Sequence, residues 1–411
     1  MDSGLRLFTN ARLDGQLVDI TVNTDGNIES IYSAGNTPHS KQQDSRTTIV
    51  DLHGQLVLPP LAEPHAHLDK AFLADRVHNP TGDLMGAIQG LDAIRDTITF
   101  DDIVERSCAA AALLSRNGVT AIRTHADTTL SGGLTPVLAL LETKKRCAHF
   151  IDIQVSALLD WPLTGPQSEG RLELARAAIE AGVNVIGGCP HLDDDPHAAI
   201  DTLLELAINA GLPLDLHADE NLRPTSDDLE YISHLVLQNN VCHNITASHC
   251  VSLSSRSSND ISAIADKVAE AGIAVVALPL TNLFLQSRDI HSLPPRAITP
   301  TRALSQAGVT VAAGADNLQD PFNVMGRGDP LETASLMVLA AHETPTSALT
   351  MVSTNSHQVI TPGRSFLSVG DRADFISVQA SNVREVIAMG PPDRTVVYGG
   401  VVITQQKRNI K

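Results

Sequence analysis

Five times along the middle of the chain, an amphipathic stretch runs into a Gly and then into a branched apolar run. The copies read NGVTAI from Asn117, AGVNVI from Ala181, AGLPLD from Ala210, AGIAVV from Ala271 and AGVTVA from Ala307. A stretch such as LELARAAIEA predicts a helix. The Gly closes it in the left-handed conformation, and the branched run predicts a buried strand. The glycines are spaced at one or two multiples of a unit of roughly 30 residues, the length of a strand and its crossover helix. The two long gaps hold IDIQVSAL and NITASH, near residues 151 and 245, as the missing strands, and LVLPPLAEP supplies a first strand ahead of His65. Eight strands alternating with helices predict a parallel (β/α)₈ barrel of the TIM type. An open doubly wound sheet is the alternative, weakened because no GxGxxG follows an early strand.

The pattern changes at both ends. Residues 1–57 carry short alternating runs with Asp-Gly at 14–15 and 25–26, and GDRADFISVQ and TVVYGGVVIT do the same within 363–404. These are hairpin signals. The two ends together predict one small β-sandwich, 1–58 with 360–411, beside a catalytic barrel of 59–359. Residues 36–47 are polar and read as a loop.

Polar residues end most of the barrel runs. His65 and His67 close the first, in EPHAHLD. Residues two apart on a strand share a face, so both imidazoles can converge on one point. Arg123, His125 and Asp127 end the second run, His191 the fourth, and His217 the fifth, with Asp219 and Glu220 following. His249 ends the sixth and Asp316 the eighth. Active sites of such barrels lie at the C-terminal ends of the strands. A lone His there is more often a hydrogen-bonded structural residue than a ligand, and Arg123, His125 and His191 are given no role. Imidazoles on strands one, five and six, with a carboxylate on strand eight at the same rim, point instead to a metal centre.

The set His65, His67, His217 and Asp316 is nitrogen-rich with one carboxylate. It suits Zn²⁺ or Fe²⁺ and argues against Mg²⁺ or Ca²⁺. An open position would hold water, whose pKa such a metal lowers toward about 7. Glu220, just beyond His217, can stand beside that water and shuttle protons without binding the metal. His249 can polarise or orient the nucleophile.

Composition narrows the partners. The net charge is −18 and no Lys/Arg cluster occurs, which argues against nucleic acid and anionic membranes. No apolar stretch is long enough to span a bilayer, and residues 1–30 lack a basic start with an apolar core. The five cysteines form no CxxC, and their odd count fits a reducing cytoplasm. The expected partners are a small-molecule substrate and water, and a homo-oligomer is compatible with the sequence.

At this point the chain resembles the amidohydrolase superfamily in its cytosine deaminase-like branch, over nearly its whole length. EPHAHLD, RTHAD and VIGGCPH look like the motifs of strands one, two and four. HADE, ASHC, PLTNLFLQSR and GADNLQDPF look like those of strands five to eight. The resemblance implies His65, His67, His217 and Asp316 as metal ligands, Glu220 as proton shuttle and His249 as activator of water or contact to substrate. Two-metal members bridge their ions with a strand-four lysine. VNVIGGCPH has none, so one metal per chain is expected.

The implied reaction is hydrolysis of a C–N bond in a small cyclic amidine or nucleobase of cytosine, isocytosine or creatinine type, releasing ammonia. Asp316 would take a proton from the nucleophile, and Glu220 would protonate the ring nitrogen and help ammonia leave. Leu158, Asp160, Trp161, Gln286 and Asn317 fall at the substrate-binding positions. Two depart from the cytosine deaminase pattern: Asp160, in ALLDWP, stands where that enzyme has a Gln, and Asn317 where it has a second Asp. A carboxylate only accepts, so Asp160 would leave a facing carbonyl unpaired and favour a ring that presents N–H groups. Creatinine- or isocytosine-like rings are therefore expected over cytosine. The alternative enzyme is an N-alkylaminotriazine (N-isopropylammelide-type) amidohydrolase, which would release an alkylamine. A non-catalytic barrel scaffold is disfavoured, because every implied ligand and Glu220 are present.

Overall fold

The computed structural model describes residues 5–38, 41 and 47–405. The chain opens with β1 (Arg6–Leu13), β2 (Gln16–Val22), β3 (Ile28–Ser33), β4 (Thr48–Asp51) and β5 (Leu56–Leu58). The central strands are β6 (Leu61–Ala66), β7 (Val119–Thr128), β8 (Asp152–Leu159), β9 (Val185–Gly188), β10 (Leu214–Ala218), β11 (Ile245–His249), β12 (Ala274–Ala277) and β13 (Val311–Ala313). The chain returns through β14 (Phe375–Val378), β15 (Arg394–Tyr398) and β16 (Val401–Gln405).

β6 to β13 pair in chain order, every neighbour parallel. The first and last strands meet just past their ends, where Asp316 N–H donates to the His65 carbonyl at 3.1 Å and His67 N–H donates to the Asp316 carbonyl at 3.2 Å. The predicted barrel is thus present, and it closes at residues of the candidate metal site. Glu63 reinforces the seam by accepting from Ala315 N–H at 3.0 and 3.1 Å. Gly314 is required beside it, since a Cβ there would lie 2.3 Å from Glu63 Oε1.

The strands read as unbroken apolar runs because helices cover their outer faces and leave β10 and β11 buried throughout. Gly182 ends the helix Glu169–Ala181 at φ +97°, as the glycine pattern predicts. One insertion departs from the simple unit. Between β6 and the helix Phe100–Arg116 the chain adds the helix Leu84–Asp92, which walls one side of the barrel mouth.

The two chain ends share one eight-stranded sheet. β5 joins them, pairing β1 at Arg12↔Leu56 and β14 at Leu58↔Ile376. Asp14 and Gly15 turn the β1–β2 hairpin at φ +48° and +79°, the turn that matches strand twist. The unit has its own core, with Phe8 edge-on to Phe375 at 5.0 Å. Arg394 of β15 ties it to the barrel through Asp329, at 2.6 and 2.9 Å. The polar stretch 36–47 lies largely outside the described residues. Among the described residues no helix is long and apolar enough to cross a membrane.

Candidate active site

The strand ends project their side chains into one cavity of about 330 Å³ at the C-terminal mouth of the barrel. At its floor four atoms converge. His217 Nε2 lies 3.1 Å from His65 Nε2 and 3.2 Å from His67 Nε2. Asp316 Oδ1 lies 3.2 Å from His67 Nε2 and 3.7 Å from His65 Nε2. The four predicted ligands are therefore together. Asp316 and His249 adopt φ of +68° and +69°. A left-handed non-Gly residue stores about 1–3 kcal/mol of strain, and such residues concentrate at functional sites.

The cluster is electrostatically incomplete. Burial, then the neighbouring imidazoles for His65 and His217 and the Lys70 charge for His67, hold all three far below the usual histidine range, so the rings are neutral. His65 Nδ1 meets Ser248 Oγ at 2.9 Å. Among the described residues Asp316 Oδ1 has no hydrogen-bond partner. Ring nitrogens and a carboxylate oxygen gathered this closely in a buried site are a donor set for a cation. Spacings of 3.1–3.7 Å also bracket the edge of about 3.4 Å expected for a tetrahedron of ligands around zinc. These residues fit a divalent transition metal.

Around the cluster stand the proton-handling groups. Glu220 Oε2 is 3.7 Å from His249 Nε2 and 3.9 Å from His191 Nε2. Burial pushes its carboxyl up to about 8. His249 Nε2 also lies 3.9 Å from Asp316 Oδ2, and its Nδ1 is held by Asn282 Oδ1 at 3.2 Å. His191 sits beyond β9 in the short turn Pro190–Leu192, where its Nδ1 donates to the His217 carbonyl at 2.9 Å. The His125 ring lies 4.0 Å from that of His65 at a tilt of 32°, and among the described residues neither of its nitrogens has a hydrogen-bond partner.

The substrate-side residues divide. Leu158, Asp160 and Trp161, at the end of β8, line the cavity. Asp160 is not a free acceptor: Oδ1 takes the Trp161 N–H at 2.9 Å, and Oδ2 pairs with Arg171 Nε at 3.2 Å. Arg171 also lines the cavity, so a donor stands beside Asp160 where the sequence reading left a carbonyl unpaired. Asn317 lines the cavity too, but its amide is engaged at both ends, donating to Asp320 Oδ2 at 2.8 Å and accepting from Thr281 Oγ1 at 3.2 Å. Gln286, expected against the substrate, is not among the lining residues. The chain turns away after the helix Pro279–Leu285, and Gln286 Nε2 donates to the Glu220 carbonyl at 3.2 Å.

The sequence reading missed Lys70. Its ammonium lies 2.8 Å from Asp127, 3.3 Å from Asp69 and 3.1 Å from His67 Nδ1, on the cavity wall. Burial alone would lower its pKa, but Asp127 and Asp69 outweigh burial and hold it above its ordinary value. The available signal was a lysine three residues past His67, beside Asp69, in the segment that follows the His-x-His pair. Leu84, Ile88, Leu91, Leu192 and Phe322 supply an apolar part of the cavity lining, beside the polar Asp92, Arg95, Thr129 and Ser131.

A model of the Amidohydrolase family matches residues 71–404. The chain belongs to the amidohydrolase family. It is 31% identical over 402 residues to a pterin deaminase of Rhizobium rhizogenes, spanning 96% of this chain and 90% of that one. Among solved structures it is similar to a 5-methylcytosine deaminase of Klebsiella pneumoniae, with a TM-score of 0.89, 27% identity and 98% and 99% of the two chains covered. It is also similar to an N-isopropylammelide isopropylaminohydrolase of Burkholderia multivorans, with a TM-score of 0.83, 26% identity and 98% of each chain covered. The resemblance drawn from the strand-end motifs is borne out. Amidohydrolases typically depend on a divalent metal, and this amidohydrolase carries the His/His/His/Asp cluster to hold one. Its enzyme class is hydrolytic deaminase.

Proposed function

We propose that this amidohydrolase deaminates a flat nitrogen heterocycle whose exocyclic amine sits on the carbon between two ring nitrogens. That 2-amino-4-oxopyrimidine edge is common to isocytosine and pterin. What carries this function is the juxtaposition of a buried Glu220, its carboxyl raised to about 8, with the four-atom cluster at the cavity. Likeness to a pterin deaminase supports it. The volume of about 330 Å³ and the apolar wall within it leave room for a second fused ring.

His65, His67, His217 and Asp316 would hold one Zn²⁺ or Fe²⁺ per chain, which when bound supplies a Lewis acid that acidifies water and polarises the reacting carbon. Asp316 Oδ2, facing His249, accepts the proton that water gives up. Glu220 donates its proton to the ring nitrogen beside the reacting carbon and, on receiving the next, passes it to the departing amine. His249, with its proton fixed on Nδ1 by Asn282, keeps Nε2 toward the attacked face. Asp160 accepts from the ring N–H of the lactam edge, and Arg171 donates to its carbonyl. The apolar wall excludes water from the far side of the ring.

Release of an alkylamine is the second reading, favoured by that wall and by likeness to the isopropylaminohydrolase. Ammonia and isopropylamine release should be measured with pterin, isocytosine, creatinine, cytosine and N-isopropylammelide. Ammonia from pterin or isocytosine, at a kcat/KM at least about tenfold above the rest, is expected. Turnover of N-isopropylammelide alone would replace this function with the second.

A further inference from the structure

We propose that Ser248 and Asp215 are positioning residues that fix the tautomer of His65, so that its Nε2 is always free for the metal. This rests on reading the cluster as a metal site. His65 Nδ1 lies 2.9 Å from Ser248 Oγ, and Ser248 Oγ lies 2.9 Å from Asp215 Oδ1. The other carboxylate oxygen, Asp215 Oδ2, accepts from Arg123 Nη1 at 2.8 Å. Arg123 is held by the Val359 carbonyl at 2.6 Å and by Thr246 Oγ1 at 3.2 Å. All four side chains are fully buried, so no water competes for these positions.

The order of donors along this line has one solution. A guanidinium only donates and an ionised carboxylate only accepts. Asp215 Oδ1 therefore takes the Ser248 hydroxyl proton. The Ser248 oxygen, having given its proton away, can only accept from His65. His65 must then carry its hydrogen on Nδ1, and Nε2 is left bare toward His217, His67 and Asp316. Groups that orient a metal-binding histidine through its other nitrogen are commonly worth about 10–100-fold in metal affinity.

The line also predicts that an isosteric change reverses it. In Asp215→Asn, Arg123 still needs an acceptor, so the amide oxygen must face Arg123. The amide NH₂ then faces Ser248 Oγ. Ser248 then accepts from Asn, which frees its own hydrogen to donate to a bare Nδ1 of His65. The hydrogen moves to Nε2, where it blocks the metal. Ser248→Ala removes the hydroxyl without dictating the wrong tautomer, and Ser248→Thr restores it.

Zinc affinity of the full-length protein, measured by competition with a chromogenic chelator, tests this without any substrate. Wild type is expected to bind about one Zn²⁺. Asp215→Asn should bind about 10–100-fold more weakly, Ser248→Ala more weakly than wild type but no worse than Asp215→Asn, and Ser248→Thr like wild type. The thermal midpoint of the metal-free proteins serves as the control for a merely structural role. If Asp215→Asn does not fold, the pair Ser248→Ala and Ser248→Thr decides. Variants that lose thermal stability yet bind zinc within about twofold of wild type would overturn the proposal. A wild type that binds no zinc overturns the metal site itself, which is a separate result.

Discussion

Glu220 Oε2 faces His249 Nε2 at 3.7 Å, and neither that ring nor His191 opposite can lend it a positive charge. Burial holds His249 down to about 3 and His191 down to about 4, so both are neutral near pH 7. Nothing offsets the burial of the carboxyl, which rises to about 8. The acid form is thus the resting form, as a proton donor to a ring nitrogen requires. Glu220→Gln should lower kcat by about 10²–10⁴ with metal content unchanged. In wild type the acid is present below about pH 8 and lost above it, so the rate should fall as pH rises through that value. Near-normal turnover in the variant would show that Glu220 is structural.

Metal removal should abolish activity, and readdition of Zn²⁺ or Fe²⁺ should restore it. The ring nitrogens of His65, His67 and His217 gather with Asp316 Oδ1 at spacings of 3.1–3.7 Å, a donor set for one divalent ion. His217→Ala deletes the nitrogen closest to both neighbours and should lose the metal outright. Emission spectrometry on wild type and variant decides between about one ion per chain, none and two.

The barrel is legible in the sequence because its strands are covered on both faces and its helices stop at glycines, so both periodicities are unobstructed. The candidate ligands are legible because strand ends aim into the barrel mouth, and His65, His67, His217 and Asp316 are the polar strand-end residues there that match the family's metal motifs. Contacts set by side-chain direction are less so. Arg171 reaches Asp160 across an 11-residue separation from a helix that reads as surface. Ser248 in ITASH looks like any small strand residue, and Lys70 like a solvated one. Gln286 was placed by motif alone, and motif position says nothing of which way a loop turns after a short helix.

The Asp160–Arg171 pair makes substrate choice testable. Burial raises the Asp160 carboxyl and Arg171 counters it, so the pair offers an acceptor beside a donor. A lactam edge satisfies both. Arg171→Met keeps bulk but leaves the substrate carbonyl unpaired, a loss of about 1–3 kcal/mol, or roughly tenfold to a hundredfold in kcat/KM. Asp160→Gln supplies donor and acceptor from one side chain and should shift preference toward cytosine relative to isocytosine. A wild type that favours cytosine by about tenfold would refute this use of the pair while leaving hydrolytic deamination intact.

The last prediction concerns stability. On either side of Glu220, Asp219 and Asp228 lock a buried turn: Asp219 N–H donates to Asp228 Oδ2 at 3.0 Å and Asp228 N–H donates to Asp219 Oδ1 at 3.0 Å. Asp219 also accepts from Leu229 N–H at 3.1 Å and Ser226 Oγ at 2.7 Å, so it is the better place for the negative charge. Burial, then the charge of Asp219, raise the Asp228 carboxyl above its ordinary value. Folded Asp228 therefore keeps a proton that the unfolded chain has already released in mildly acidic solution. Above the unfolded pKa, unfolding releases a proton, and stability falls as pH rises until the folded group itself ionises. Asp228→Asn cannot titrate and still offers an oxygen to Asp219 N–H. Its thermal midpoint should stand further above wild type at pH 8 than at pH 5, by an amount growing at no more than about 1.4 kcal/mol per pH unit. Thermal midpoints measured in parallel at the two pH values check this. A constant difference between variant and wild type would show that Asp228 is ionised in the folded protein throughout.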